Sequence, residues 1–183
     1  MRNIVGTLAL LALAVSTVAA QTPQTMTITS PTLKAGQPIP IDHTADGKNI
    51  SPAITWSNVP AGTKSFALIM DDPDVPMPQP FVHWVIYKIP GTAKGLPENI
   101  PIDPAVAMPS EIAGALQGVS GFRRPIYRGP APPAGKVHNY HFTVYALDAD
   151  LDLQPGLNKA QLLDAIKGHV IGQGELIATY ERK

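Results

Sequence analysis

Two stretches of this chain bring carboxylate, imidazole and phenol side chains into proline-stiffened turns. The first is Asp71-Asp72-Pro73-Asp74-Val75-Pro76, followed by His83-Trp84; the second is Gly129-Pro130-Ala131-Pro132-Pro133, followed by His138-Asn139-Tyr140. Each proline removes an N–H and restrains the residue before it, so neither stretch suits a helix or an inner strand. Both are expected to be fixed loops that feed strand-like apolar runs. Rigid loops that carry ionisable groups at the mouth of a scaffold are where binding chemistry concentrates. Asp72, His83 and His138 are also a donor set of a kind that holds a metal, two imidazoles and a carboxylate. The chain lacks a Gly-x-Ser-x-Gly turn, a His-Glu-x-x-His helix and any cysteine, so a hydrolase would have to rest on an Asp/His base alone. No catalytic residue, metal or cofactor is therefore expected.

The first twenty residues read as an export signal. Met1-Arg2-Asn3 gives a short positive start, Ile4 to Val15 is apolar apart from Gly6 and Thr7, and Val18-Ala19-Ala20 offers small residues for cleavage before Gln21. A membrane anchor fits less well, because the apolar stretch is at the short limit for a span. The expected mature chain, 21–183, is periplasmic or secreted and has no stable membrane insertion. It keeps 13 basic and 14 acidic residues once Arg2 is removed, a formal balance of −1. That excludes the strong positive field a nucleic-acid binder needs. Without cysteine there is neither a disulfide framework nor thiolate chemistry.

The elements that must hold the two loops are strands. Twenty prolines and fifteen glycines mark many turns, and the length suits one domain with a real core. Thr25 to Thr29 alternates, and Ser65 to Met70 is a buried apolar run that stops at the acidic loop. Val82 to Ile89 looks like a central strand, with His83, Val85, Tyr87 and Ile89 on one face and Val82, Trp84 and Ile86 on the other. Tyr140 to Leu147 is similar, and the period of two points His138, Tyr140, Phe142 and Val144 the same way. One helix is credible, with Asn158 as N-cap, Gln161 three residues on and Gly168 as its stop. Glu175 to Tyr180 returns to strand. Gly91 to Arg124 reads as irregular connection with a helical turn around Ile112 to Leu116.

Taken in order, these residues resemble the phosphatidylethanolamine-binding protein family, in its bacterial Raf-kinase-inhibitor-like branch of the YbhB/YbcL type. The resemblance is carried by Asp46-Gly47-Lys48-Asn49-Ile50-Ser51-Pro52 with Trp56, by Val59-Pro60-Ala61-Gly62-Thr63, and by the two loops with His83-Trp84, Gly135, His138 and Tyr140. It implies a mainly β fold, an antiparallel β-sandwich with a few short helices, one of them near the C-terminus. It also implies a small anion pocket lined by Asp72, Pro76, His83, Gly129, Pro132, Pro133, His138 and Tyr140. The chain departs from the pattern at Ala131, where cysteine is frequent, at Asn139, where arginine is common, and in the basic run Arg123-Arg124-Pro125-Ile126-Tyr127-Arg128.

A carboxylate repels phosphate, so Asp72 is expected to orient a histidine, either His83 or His138, by accepting one of its ring N–H groups. The other ring nitrogen then faces the anion, Tyr140 adds a neutral hydroxyl, and backbone N–H groups near Gly129 approach closely because glycine has no Cβ. Pro76 is a candidate cis proline. Asp74 is expected to cap its turn, Trp56 and Trp84 to fill the core, and His43, His141 and His169 to be structural or surface residues. The function that follows is noncatalytic binding of phosphate or a phosphoethanolamine-like head group. The alternative is an interaction protein that inhibits a protease or kinase through the loops around the pocket.

Overall fold

The structure is a computed structural model that describes residues 22–103 and 105–183. The segment read as an export signal lies outside these residues. Chain order gives β1 (Gln24–Thr25), β2 (Thr27–Thr29), β3 (Ile54–Ser57), β4 (Ser65–Asp72), β5 (Phe81–Pro90), β6 (Gly95–Leu96), β7 (Leu116–Gln117), β8 (His138–Leu147), α1 (Lys159–Ala165) and β9 (Val170–Tyr180). A six-stranded sheet has the order β1-β9-β8-β4-β5-β7, and a three-stranded sheet has the order β2-β3-β6. The pairs are antiparallel except β1 with β9, which is parallel.

The two sheets form a sandwich because the apolar alternation of each leaves one face to bury. Ile28, Ile54, Trp56 and Leu96 of the small sheet meet Phe66, Leu68, Met70, Trp84, Phe142 and Val144 of the large one. The large sheet's other face carries Ala67, Ile69, Val85, Tyr87 and Leu147 against Leu162 and Ile166 at the helix. Burial on both faces explains why β4 reads as an uninterrupted apolar run. Trp56 and Trp84 are core residues, their indole N–H groups donating to the Ala93 carbonyl and the Gln117 side chain.

Three expectations are corrected. The acidic loop starts two residues later than expected, because Asp71 and Asp72 are the last residues of β4. Each has a partner, Lys159 for Asp71 and His138 for Asp72, and the proline restraint begins only at Pro73. The strict two-face pattern of β5 fails, because its pairing with β4 is interrupted between Ile86 and Ile89 and between Val82 and Trp84. The first interruption contains Lys88 with φ of 53°, and it moves Ile89 to the Trp84 and Ile86 side. The second makes His83 the extra residue of a bulge. The last strand begins at Val170, not Glu175, and contains Gly172 and Gly174. A Cβ at Gly174 would lie 2.4 Å from the Met26 carbonyl oxygen, so glycine lets the chain between β1 and β2 cross closely.

The helix follows its sequence signal. Asn158 Oδ1 accepts from Gln161 N at 3.0 Å and Gln161 Oε1 accepts from Asn158 N at 3.0 Å, a reciprocal cap. Gly168 sits at φ of 86° beyond its end. Asn158→Ala is expected to cost about 1 kcal/mol. A thermal melt should register this as a fall in Tm of about 2–4 °C. The expected turn near Ile112 is a single 3-10 turn, Ser110–Ile112, between β6 and β7.

Candidate ligand-binding site

The ends of β4, β5 and β8 bring the two loops together around a cavity of about 250 Å³. Asp72, His83, Gly129, Pro132, Pro133, His138 and Tyr140 all line it, joined by Val75, Phe81, Phe122, Arg128 and Ala131. Pro76 does not. The Met77 amide donates to the Val75 carbonyl at 2.8 Å, which puts Pro76 at the tip of a three-residue turn, exposed, with Val75 turned inward. No cis peptide bond occurs among the described residues, so the bond before Pro76 is trans.

Asp72 is the organising residue. Buried with His138, it accepts from His138 Nδ1 at Oδ2, 2.6 Å away, and from the Asp74 amide at Oδ1, 2.8 Å away. One carboxylate thus fixes a ring and closes its own loop. Asp74 in turn accepts from the Asn139 amide at 2.7 Å and from Asn139 Nδ2 at 2.8 Å, clamping the first loop onto the start of β8. These bonds hold the Asp74 carboxyl below the usual carboxylate range. Asn139, a departure from the family pattern, therefore has a structural duty.

His83 is held differently. Its Nδ1 lies 2.7 Å from the Arg128 carbonyl oxygen, which can only accept, so Nδ1 carries the proton. Burial pushes its pKa down, against the pull of that carbonyl and of Asp72. Neutral His83 offers Nε2 as an acceptor, and it becomes a donor only on protonation. The same burial ties folding to pH. In the interval below about 6.5 the unfolded chain binds the proton more readily, so His83 contributes stability above that pH which is lost as pH falls through its folded value. Melts at neutral and mildly acidic pH should show a smaller acid loss in His83→Gln than in the wild type; equal losses would contradict this.

Tyr140 completes the floor. Its ring lies edge-on to His83 with centroids 5.2 Å apart, and its hydroxyl is buried close to the Asp72 carboxylate without a hydrogen bond of good geometry among the described residues. Burial and nearby Asp72 push its pKa up, so it stays a neutral donor. The expectation for Gly129 is corrected. Its amide donates to Asn49 Oδ1 at 2.8 Å, away from any ligand role. A Cβ there would lie 2.1 Å from the His43 carbonyl oxygen, so glycine is needed for packing. Asn49 is thus a structural clamp.

With Nδ1 engaged in both imidazoles, Nε2 of each is left for the cavity, beside one free phenol. That set suits a small oxyanion that accepts from the phenol and meets each Nε2 either through a protonated ligand oxygen or through a protonated ring. No group of three His, Asp or Glu side chains forms a metal-binding cluster among the described residues, since Asp72 faces Nδ1 of His138 and His83 bonds a carbonyl. A family model described as phosphatidylethanolamine-binding protein matches residues 29–181. The chain belongs to this family. A UPF0098 protein of Methanothermobacter thermautotrophicus is 48% identical over 144 residues, covering 79% of this chain and 91% of the relative. One from Aquifex aeolicus is 43% identical, covering 86% and 89%. Among solved structures, Escherichia coli YbcL, described as a member of the mammalian PEBP family, superposes with a TM-score of 0.79 at 33% identity, covering 86% of this chain and 99% of that one. The homolog CT736 from Chlamydia trachomatis gives 0.75 at 35%, covering 87% and 99%. The sequence resemblance to the YbhB/YbcL-type branch of the phosphatidylethanolamine-binding proteins is thereby borne out.

Val75, Phe81 and Phe122 line the cavity without having stood out in the sequence. Phe122 precedes the basic run, and an aromatic next to arginines before a Gly-Pro turn is the signal that was available. Of the three arginines in that run, Arg128 alone lines the cavity.

Proposed function

We propose that this protein is an exported, noncatalytic binding protein that takes a small phosphate-type anion in the cavity at the ends of β4, β5 and β8. The observation that carries the reading is the buried Tyr140 hydroxyl, without a hydrogen bond of good geometry among the described residues, beside the free Nε2 positions of His83 and His138. A buried polar group left unmatched costs about 1–3 kcal/mol, so a natural structure that keeps one has a use for it. The anion would accept from Tyr140 and, where the His138 ring that Asp72 orients carries a proton on Nε2 as well, from that ring. His83 would accept from a protonated ligand oxygen at neutral pH and donate below its lowered pKa. The Met1–Ala20 pattern and the absence of cysteine support export. Calorimetric titration with inorganic phosphate tests the reading. Saturable one-site binding is expected, weakened about tenfold or more in Tyr140→Phe by loss of one bond to a charged group. Heat that is unchanged in both Tyr140→Phe and His138→Ala would put the anion elsewhere.

A further inference from the structure

The carboxylate that lines this cavity, Asp72, is engaged by the protein itself, and Asp74 lies outside the cavity wall. Asp72 gives its oxygens to His138 and to the Asp74 amide, and Asp74 gives one oxygen to both nitrogens of Asn139. Lys136 reaches the Asp74 carbonyl at 3.1 Å and is not part of the cavity wall. The side-chain cation that lines the cavity is Arg128. Its guanidinium carbon stands 4.6 Å from the centroid of the Phe122 ring. Phe122 meets Phe81 edge-on at 4.9 Å and His83 at 5.6 Å. The Arg128 backbone is tied as well, its N–H donating to the His83 carbonyl at 3.3 Å and its own carbonyl accepting from His83 Nδ1. The side chain is exposed, and its guanidinium rests on the Phe122 ring at the cavity rim, with the backbone beneath it tied to His83.

We infer that Arg128 is the specificity-determining residue of the pocket, selecting phosphate monoester dianions over zwitterionic phosphoethanolamine-type head groups. The inference rests on the phosphate-type reading above and narrows it. An ammonium arm leaving a bound phosphate would meet the Phe122 and Phe81 wall, a like charge at Arg128, and in the cavity wall no carboxylate but Asp72, which already accepts from His138 and Asp74. The Phe122 face that would attract an ammonium is already covered by the guanidinium. A plain alkyl arm meets the same wall without repulsion, while the phosphate charge common to both esters is drawn to the guanidinium.

Ethyl phosphate and phosphoethanolamine share the phosphate ester and differ in the ammonium, so titrating both, with inorganic phosphate as reference, isolates the effect. The wild type should bind ethyl phosphate about tenfold or more tightly than phosphoethanolamine, a ratio that added salt reduces. Arg128→Gln, which keeps the backbone carbonyl for His83, should bring the ratio to within about twofold. Arg128→Lys should keep part of it. Dihexanoyl phosphatidic acid carries the same monoester on a lipid: tighter binding than ethyl phosphate identifies a lipid source, and weaker binding a soluble ester. Its affinity must fall in Arg128→Gln in either case. Inorganic phosphate bound by the wild type with no preference between the two esters, or a preference that survives Arg128→Gln, would overturn the inference and leave the pocket standing. Failure of the wild type to bind inorganic phosphate would overturn both.

Discussion

Gly129→Ala is expected to lose about 3 kcal/mol of stability and, with it, the second wall of the pocket. The added methyl would lie 2.1 Å from the His43 carbonyl oxygen and 2.7 Å from Thr44 Cα, both backbone atoms that cannot rotate away. Moving either segment would break a set of bonds that tie them: Ala45 N to the Pro130 carbonyl at 2.9 Å, Gly129 N to Asn49 at 2.8 Å, and the Tyr127 hydroxyl to the His43 carbonyl at 2.5 Å. In the same loop, Gly135 supplies the control. It has φ of 85° and open space where a methyl would project, so Gly135→Ala should cost only about 1 kcal/mol from backbone strain. Denaturant midpoints of the two variants decide the matter. Equal shifts would mean that the close approach at Gly129 relaxes freely.

Asp72→Ala should cost about 3 kcal/mol, the penalty for removing the buried acceptor of two hydrogen bonds. The change strands His138 Nδ1 and the Asp74 amide together, and the Asp74 clamp on Asn139 loosens with them. A cycle with His138→Ala should return a coupling of about 1 kcal/mol or more. The exposed pair of His169 with Asp148, 2.9 Å apart, is the comparison, and it should return well under about 1 kcal/mol. Phosphate affinity should fall in Asp72→Ala even though the carboxylate never touches the ligand, because the ring it orients is set free. A stability loss equal to that of the exposed pair would show that Asp72 does not organise this end of the fold.

The strand alternation around Tyr140, Phe142 and Val144 could be read directly because burial on one face leaves a period of two in the residue types. The reciprocal Asn158 and Gln161 cap was equally local. What could not be read depends on partners distant in sequence. Nothing in the neighbourhood of His83 announces a bulge, because the extra residue is set by pairing with β4. Gly172 and Gly174 hid the start of β9, since the reason for glycine there is the close approach of Pro60 to the first and of the Met26 backbone to the second. The resemblance gathered seven of its eight proposed residues into one cavity and missed the direction of the eighth, Pro76, which a turn bond between Val75 and Met77 decides. It also left open which histidine Asp72 holds, and only the fold selects His138.

Imidazole nitrogen shifts, followed by NMR as inorganic phosphate is added to the purified protein, test the anion pocket most directly. The Nε2 signals of His83 and His138 should move together along one saturable curve, with His83 protonated at Nδ1 in the free protein, while surface His141 and His169 stay still. Movement confined to His141 and His169, with His83 and His138 unchanged at saturating phosphate, would contradict the account.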